Sequence, residues 1–321
     1  MVSSDLIFGM AFFFQCAIGI VGNSILLMLY VFIYFKKPQQ KKPMDLILAH
    51  LTLANMISLL TRGIPEIMFS FGMRHILDDL GSKLLMYIYR IARGLSTSTT
   101  SLLSMFQALI ISPNKSMWAS IKIRAPRYIL YYFFFSWVIN AVIYIRVLEI
   151  VEAPKNITIT SLSYISNIYM SRQVKNDFPT FILAMTLHDL TFHFLLGLTS
   201  TYMVLLLYRH SKQVQHIHST LSIRSFPEAK ATQTIFLNLS IFVLFYWINN
   251  CFTVYLCFQI EKQPVYDTIA SFFSRCYPAL SPLLLIGREN RISKFYCRSR
   301  KAQKPQKNFV DRLFNPRTSP A

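Results

Sequence analysis

Five ionisable side chains interrupt long apolar stretches of the sequence, and their types suggest binding chemistry. They are Glu66, Arg90, Arg93, Asp189 and Arg275. Because a charge is costly in hydrocarbon, such residues usually face a partner or a water-filled cavity. With three further charged residues at similar depth, the set holds five basic groups against three acidic ones. We therefore expect a hydrated cavity, open to the outside, that favours an anionic or strongly hydrogen-bond-accepting small ligand.

A second interpretation is that these charges hold helices together. Arg62 precedes Glu66 by four residues and Arg146 precedes Glu149 by three, so each pair can meet on one helix face. A glycine and a proline between the first two residues disturb that helix. We expect Arg146 and Glu149, at a membrane boundary, to pair locally. Arg93 is compatible with two roles: it lines the cavity, or it pairs with a residue of another helix and holds the two helices together.

Catalytic and metal chemistry have little support in the sequence. An intramembrane enzyme needs a nucleophile and a base, or a metal set, at matching depth, and no such set is visible. The five cysteines are scattered, without a Cys-x-x-Cys or Cys/His cluster. Two histidines, His188 and His193, are interpreted as ordinary hydrogen-bonded residues. The prediction is therefore a protein that is not an enzyme and that has no metal and no cofactor.

The elements that position these residues are predicted membrane spans. Of 321 residues, 53% are hydrophobic and 15% charged, which leaves too little polar surface to cover a soluble globule. Two stretches hold 30 residues each without a charge, whereas about 20 apolar residues cross a bilayer as a helix. Weaker stretches complete an all-α membrane protein with seven transmembrane helices. The predicted spans are about 6–35, 44–72, 83–112, 128–150, 179–208, 231–260 and 266–287.

Basic residues are distributed unevenly between the two sets of loops. The segments at 36–43, 113–127, 209–230 and 288–321 contain 22 Lys and Arg residues, against 6 in the opposite segments. Since Lys and Arg in short loops stay on the cytoplasmic side, the N-terminus is predicted outside and the C-terminus inside. Much of the net charge of +19 is then a topology signal, and nucleic-acid binding is not expected.

The sequence predicts one transmembrane domain, 1–287, followed by a basic cytoplasmic tail, 288–321. Apolar residues at 292, 295 and 296, set among basic ones, suit a short juxtamembrane helix on the inner leaflet. Cys297 beside them is a candidate for palmitoylation, or else an unmodified thiol. Among three Asn-x-Ser/Thr motifs, only that of Asn156 falls on the outer side, and it is the predicted glycosylation acceptor.

The second and third spans carry strings that resemble the type 1 vomeronasal receptor family. They are Pro43-Met-Asp45 through Ala54-Asn55, Gly63-Ile-Pro65-Glu66, Arg90-Ile-Ala-Arg93-Gly94, Leu103-Ser104-Met-Phe106-Gln107-Ala108 and Ile111-Ser112-Pro113, with Trp118, Lys122 and Ser281-Pro282 in addition. The resemblance covers nearly the whole chain. It implies a heptahelical receptor of the plasma membrane that binds pheromone-like small molecules and signals through a heterotrimeric G protein, of the inhibitory class, in sensory neurons.

The chain also departs from this family. Family members usually have a cysteine at the position of Ser82 and a partner near Ile165. Both are absent here, so we predict no outer-loop disulfide. The acidic-Arg-aromatic switch of rhodopsin-like receptors is replaced by Ile111-Ser112-Pro113, and an ion-lock mechanism cannot be transferred.

Several residues are candidates for activation and coupling. Trp247 is a possible rotameric trigger at the cavity floor, or a packing residue. Pro282, with Pro278, breaks hydrogen bonds in the seventh span and permits a bend that changes on activation. On the inner face, Lys122 and Arg124 are candidate G-protein contacts, although orientation and anionic lipid explain the same charges.

Two other classes compete with this interpretation. The bitter taste receptors are similar in size and in the brevity of their termini, but the strings in the second and third spans favour the vomeronasal family. A transporter usually shows duplicated halves, and no internal repeat is visible here.

Overall fold

The computed structural model describes residues 2–36, 39, 42–73, 78–112, 119–150, 178–217, 240, 243–248, 251–252, 255 and 264–288. Within these ranges the regular structure is helical, and no strand occurs in them. The helices are α1 Val2–Lys36, α2 Pro43–Ser58, a π-helical turn Leu59–Gly63, α3 Ile64–Ser70, α4 Asp79–Ile111, α5 Ala119–Tyr144, α6 Val147–Ile150, α7 Phe178–Ile217 and α8 Pro264–Arg288.

Five helical segments in this described part are long and apolar enough to cross a bilayer. They are Leu6–Lys36, Pro43–Met68, Arg124–Glu149, Leu183–Leu206 and Thr268–Gly287. These coincide with the first, second, fourth, fifth and seventh predicted spans. Of the sixth predicted span, 231–260, ten residues are described, and of the tail, 288–321, only Arg288 is described.

Helix α4 coincides with the third predicted span but is more polar than the other five. Its 33 residues correspond to about 50 Å of helix, more than the bilayer core requires. The run from Ser96 to Ser101 consists of hydroxyl residues, all buried. Helix α4 packs against α2, α5 and α7. A polar helix is tolerated here because other helices, not lipid, surround it.

Local sequence signals account for the helix ends. Helix α2 begins with Pro43 at its first position, where a missing N–H costs nothing. The Asp45 carboxylate accepts the backbone N–H of Lys42 at 2.9 Å. Asp78 caps α4 by accepting the N–H of Gly81 at 2.8 Å. These caps satisfy backbone donors that the first helical turn leaves open.

The helix that contains the fourth predicted span, 128–150, extends beyond the span at its start and is interrupted near its end. The helix begins at Ala119, before residue 128, and its first turns carry Lys and Arg. It ends at Tyr144, and a turn at 145–146 separates it from α6. Hydrophobicity marks where a chain enters hydrocarbon, whereas the helix continues into the polar flank.

A glycine fixes the crossing of α4 and α5. A Cβ atom added at Gly94 would overlap Asn140 Oδ1 and come within 3.1 Å of the Tyr144 ring. Only hydrogen fits at this position, so the two backbones approach closely, as at many helix crossings in membranes.

Candidate ligand-binding site

Arg62, in the π-helical turn, and Glu66, in α3, pair within the second predicted span. Arg62 Nε donates to Glu66 Oε1 at 2.9 Å and lies 3.2 Å from Ser271 Oγ on α8. Ser271 also donates to the same carboxylate oxygen. The pairing proposed from the four-residue spacing is therefore formed, despite the glycine and proline between the two residues.

Arg275 on α8 completes this group, which we call the Glu66 cluster: Arg62, Glu66, Ser271 and Arg275. Arg275 is 0% exposed and forms an ion pair with Glu66 Oε2. Its guanidinium carbon lies 4.2 Å from the ring centroid of Phe12 on α1. Arg275 Nε and Nη2 have no hydrogen-bond acceptor among the described residues. The cluster holds two cations and one carboxylate.

A second group, the Asp189 cluster, joins α4 to α7 and consists of Arg93, His188, Asp189 and His193. Arg93 Nη2 lies 3.4 Å from Asp189 Oδ2, and His188 Nδ1 lies 3.4 Å from Oδ1. The backbone carbonyl of Asp189 contacts His193 Nδ1 at 2.5 Å. Both Arg93 and Asp189 are buried, and this ion pair therefore acts between helices.

Arg90 lies one helical turn before Arg93, on the same face of α4. It is only partly buried, and its Nη1 lies 3.5 Å from Met185 Sδ on α7. Between the two clusters, the Arg62 guanidinium stands over the Tyr89 ring at 4.9 Å. The five predicted residues thus form two ion-pair clusters with Arg90 at the side of the second, rather than a single continuous lining.

A polar network that the sequence analysis did not identify lies deeper in the bundle. Asn55 Nδ2 donates to Ser281 Oγ at 2.9 Å, and Ser96 Oγ donates to Asn55 Oδ1 at 2.6 Å. Asn23 Nδ2 donates to the Pro278 carbonyl at 3.0 Å. These bonds join α1, α2, α4 and α8. Asparagines in the middle of apolar runs were the available signal, since a buried amide needs a partner.

The two switch candidates lie in different environments. Pro282 is buried and faces Gly22 on α1, where an added Cβ would come within 2.9 Å of the proline ring. Trp247 is 55% exposed, and its role as a trigger or as a packing residue stays a prediction. The neighbouring Tyr246 points inward instead, with its ring 5.6 Å from that of Tyr277. A helix turns about 100° per residue, so adjacent residues face different ways.

The remaining candidates are peripheral. Lys122 Nζ donates to the carbonyl of Ile110 at 3.0 Å, near the end of α4, and Arg124 is exposed. The local pair of Arg146 and Glu149 is formed at 2.6 Å, as expected. The glycosylation candidate Asn156 and the palmitoylation candidate Cys297 lie outside the described residues.

This geometry suits recognition. In both clusters an arginine and a carboxylate from different helices form an ion pair, and arginine binds anions and acceptor groups through several donors. Within the described ranges, no group of three or more His, Cys, Asp or Glu side chains could hold a metal ion. The fold and these clusters define a helical, multi-pass membrane protein with charged groups inside its bundle.

Comparison with known proteins places this bundle in one family. The Vomeronasal organ pheromone receptor family matches residues 6–298. Human Vomeronasal type-1 receptor 1 is 35% identical over 302 residues, 92% of this chain and 85% of the relative. Human Vomeronasal type-1 receptor 3 is 33% identical over 95% of this chain and 99% of the relative. Olfactory receptor class A-like protein 1 of Danio rerio is 33% identical over 88% and 90%.

The chain belongs to the Vomeronasal organ pheromone receptor family. It is accordingly a multi-pass protein of the plasma membrane with a chemosensory receptor role. This family match decides between the vomeronasal and bitter taste classes. It also agrees with the expectation of a receptor rather than an enzyme.

Proposed function

We propose that the chain is a seven-span receptor with its N-terminus outside, which binds a small pheromone-like molecule in the outer half of the bundle. On binding, it activates a heterotrimeric G protein of the inhibitory class at the cytoplasmic face. The observation that carries this proposal is the surplus of buried positive charge. Among the described residues, the Glu66 cluster has one carboxylate for two buried arginines, and the Asp189 cluster has one carboxylate for Arg93.

This surplus favours a ligand with negative charge or strong acceptor groups. Arg275 has guanidinium nitrogens without acceptors in the described part, and a buried donor without an acceptor costs about 1–3 kcal/mol. A ligand that supplies an acceptor recovers that cost. Arg90 is the more accessible arginine and is the proposed first contact, with Arg93 behind it.

Both clusters tie one helix to another, which gives ligand binding a route to the rest of the bundle. The Glu66 cluster joins the second span to α8, and the Asp189 cluster joins α4 to α7. A ligand that competes for one of these arginines changes the balance between two helix arrangements by its differential affinity for them. The proposed G-protein contacts, Lys122 and Arg124, lie at the opposite end of α4 and α5.

The experiment uses Arg90→Ala and Arg93→Ala in cells with a co-expressed G protein. A panel of small organic compounds, anionic and neutral, is screened for nucleotide exchange, with Arg146→Ala as the matched control at the bundle's edge. We expect the response to anionic compounds to fall at least about tenfold in the two variants, a loss of one charge-assisted hydrogen bond. The control should respond like the wild type.

An unchanged response in both variants at normal surface expression would overturn the proposed binding site. Solute uptake or current without nucleotide exchange would overturn the proposed coupling.

A further inference from the structure

An apolar groove of about 630 Å³ opens between α4, α5 and α7, away from both charged clusters. It runs along α4 from Leu102 to Ser112, and its walls include Ile121 to Tyr132 on α5 and Leu198 on α7. Ten residues of α4 correspond to about 15 Å. This length matches one leaflet of a hydrocarbon core about 30 Å thick.

Most polar groups of the groove, those of Ser112, Tyr132, Thr199 and Tyr202, are already bonded to protein. Ser112 Oγ and Tyr202 Oη lie 2.9 Å apart, and Tyr132 Oη donates to the carbonyl of Ser98 at 2.9 Å. Satisfied polar groups do not call for a polar ligand. The remaining surface therefore suits a hydrocarbon chain.

Basic residues flank one end of the groove. Arg124 stands between the lining residues Ile121 and Ala125 on α5 and is exposed. Arg209 follows Tyr202 by seven residues, which places it on the same face of α7 about two turns further on, and it too is exposed. In contrast, Lys122 is engaged with the Ile110 carbonyl. Two arginines at the headgroup end of an apolar groove complement an anionic headgroup.

We propose that this groove binds one anionic phospholipid of the inner leaflet, with an acyl chain along α4 and its headgroup between Arg124 and Arg209. The inference rests on the proposed orientation, which places this end of the bundle at the cytoplasmic face. A lipid held here bridges three helices and stabilises their arrangement at the end where a G protein docks.

The test uses the full chain in nanodiscs that contain phosphatidylserine with a diazirine midway along one acyl chain. We expect photolabelling to concentrate in the peptides 102–112, 121–132 and 198–202. Ala125→Trp fills the groove and should lower this labelling several-fold. Leu130→Trp, on the lipid-exposed face of the same helix, is the matched control and should not. Leu198→Phe, with Leu190→Phe as its control, tests the α7 wall if the first variant fails to fold.

The headgroup is tested separately. Arg124→Gln/Arg209→Gln should lower labelling by phosphatidylserine to the level given by phosphatidylcholine with the same chain. Arg127→Gln/Lys212→Gln removes the same charge from neighbouring positions and should leave the difference intact. Equal labelling by the two lipids in the wild type, or stronger labelling by a sterol probe, would overturn the proposal.

Nucleotide exchange on an added G protein, driven by the compound panel, is measured on the same nanodiscs. Even labelling of all helices, with exchange retained, overturns the lipid site alone. Groove labelling without any exchange supports the lipid site and overturns the proposed function.

Discussion

Glu66 is the only anion of its cluster, and this makes its role different from that of either arginine. Its two carboxylate oxygens contact Arg62, Ser271 and Arg275. Removing the carboxylate takes from both buried arginines the anion that they share. Removing Arg275 leaves a carboxylate that still has Arg62 and Ser271. The two substitutions should therefore lower the stability of the receptor by different amounts.

We expect Glu66→Gln to destabilise the receptor by about 3–5 kcal/mol, the usual cost of uncompensated buried charge. Arg275→Met should cost less, because Glu66 keeps Arg62 and Ser271 and because Arg275 Nε and Nη2 have no acceptors among the described residues. The double variant Glu66→Gln/Arg275→Met should be more stable than Glu66→Gln alone. Thermal unfolding of the purified variants in detergent measures their order of stability.

The exposed pair Arg146 and Glu149 is the matched control for this comparison, with side chains 46% and 63% exposed. Surface ion pairs contribute about 1 kcal/mol or less, so Arg146→Met and Glu149→Gln should change stability little. A Glu66→Gln protein as stable as the wild type would show that its carboxylate does not hold the two arginines.

At this scale the sequence predicts pairs within one helix better than pairs between helices. The four-residue spacing of Arg62 and Glu66 was sufficient, because both lie on one face of one helix. The partners Asp189 and Arg275 come from other helices, and their rotation is set by packing that a single sequence does not specify. Trp247 and Tyr246 show the same limit, since periodicity alone did not tell which of them points inward.

At the scale of elements, α4 organises the bundle. Its hydroxyl run makes bonds to neighbouring helices: Ser98 Oγ lies 2.8 Å from Ser136 Oγ on α5, and Thr100 Oγ1 lies 3.1 Å from Tyr277 Oη on α8. Such bonds contribute about 0.6 kcal/mol each on average in membrane proteins. Several of them on one helix fix its position.

The existence of these elements followed from hydrophobic runs, but their ends and breaks did not. The first predicted span, 6–35, lies inside a helix that runs from Val2 to Lys36. The π-helical turn at Leu59–Gly63 left no mark in the hydropathy pattern. A π-turn changes which residues share a face. It therefore has more effect on which side chains reach the site than on the length of the span.

Gly94 provides a direct test of the α4–α5 crossing. We expect Gly94→Ala to destabilise the purified receptor by about 1–3 kcal/mol, the usual cost of overpacking, since the new methyl group would collide with Asn140. Gly197→Ala is the matched control, because no atom of the described residues lies within 4 Å of its added Cβ. It should be neutral or more stable by about 0.5–1 kcal/mol, the helix preference of Ala over Gly. Equal unfolding temperatures for the two variants would contradict the close approach of α4 and α5.

At the scale of the whole molecule, charge is separated along the bundle. The charged clusters lie toward one end, and the apolar groove with its basic rim lies toward the other. In the proposed orientation, a small ligand binds at the outer end of the bundle. A G protein and an anionic lipid bind at the inner end. This proposed orientation rests on the loop charges, 22 basic residues against 6, because Lys and Arg in short loops are usually retained on the cytoplasmic side.

Glycosylation and epitope staining test this orientation independently. We expect an endoglycosidase-sensitive mass shift that disappears in Asn156→Gln and persists in Asn114→Gln, because only the first motif is predicted to reach the lumen. A tag before Met1 should stain on intact cells, and a tag after Ala321 only after permeabilisation. The reverse staining, or a shift that depends on Asn114, would invert the bundle. The charged clusters would then face the cytosol, where an external chemical signal cannot reach them. Both the proposed ligand site and the proposed lipid site would be ruled out.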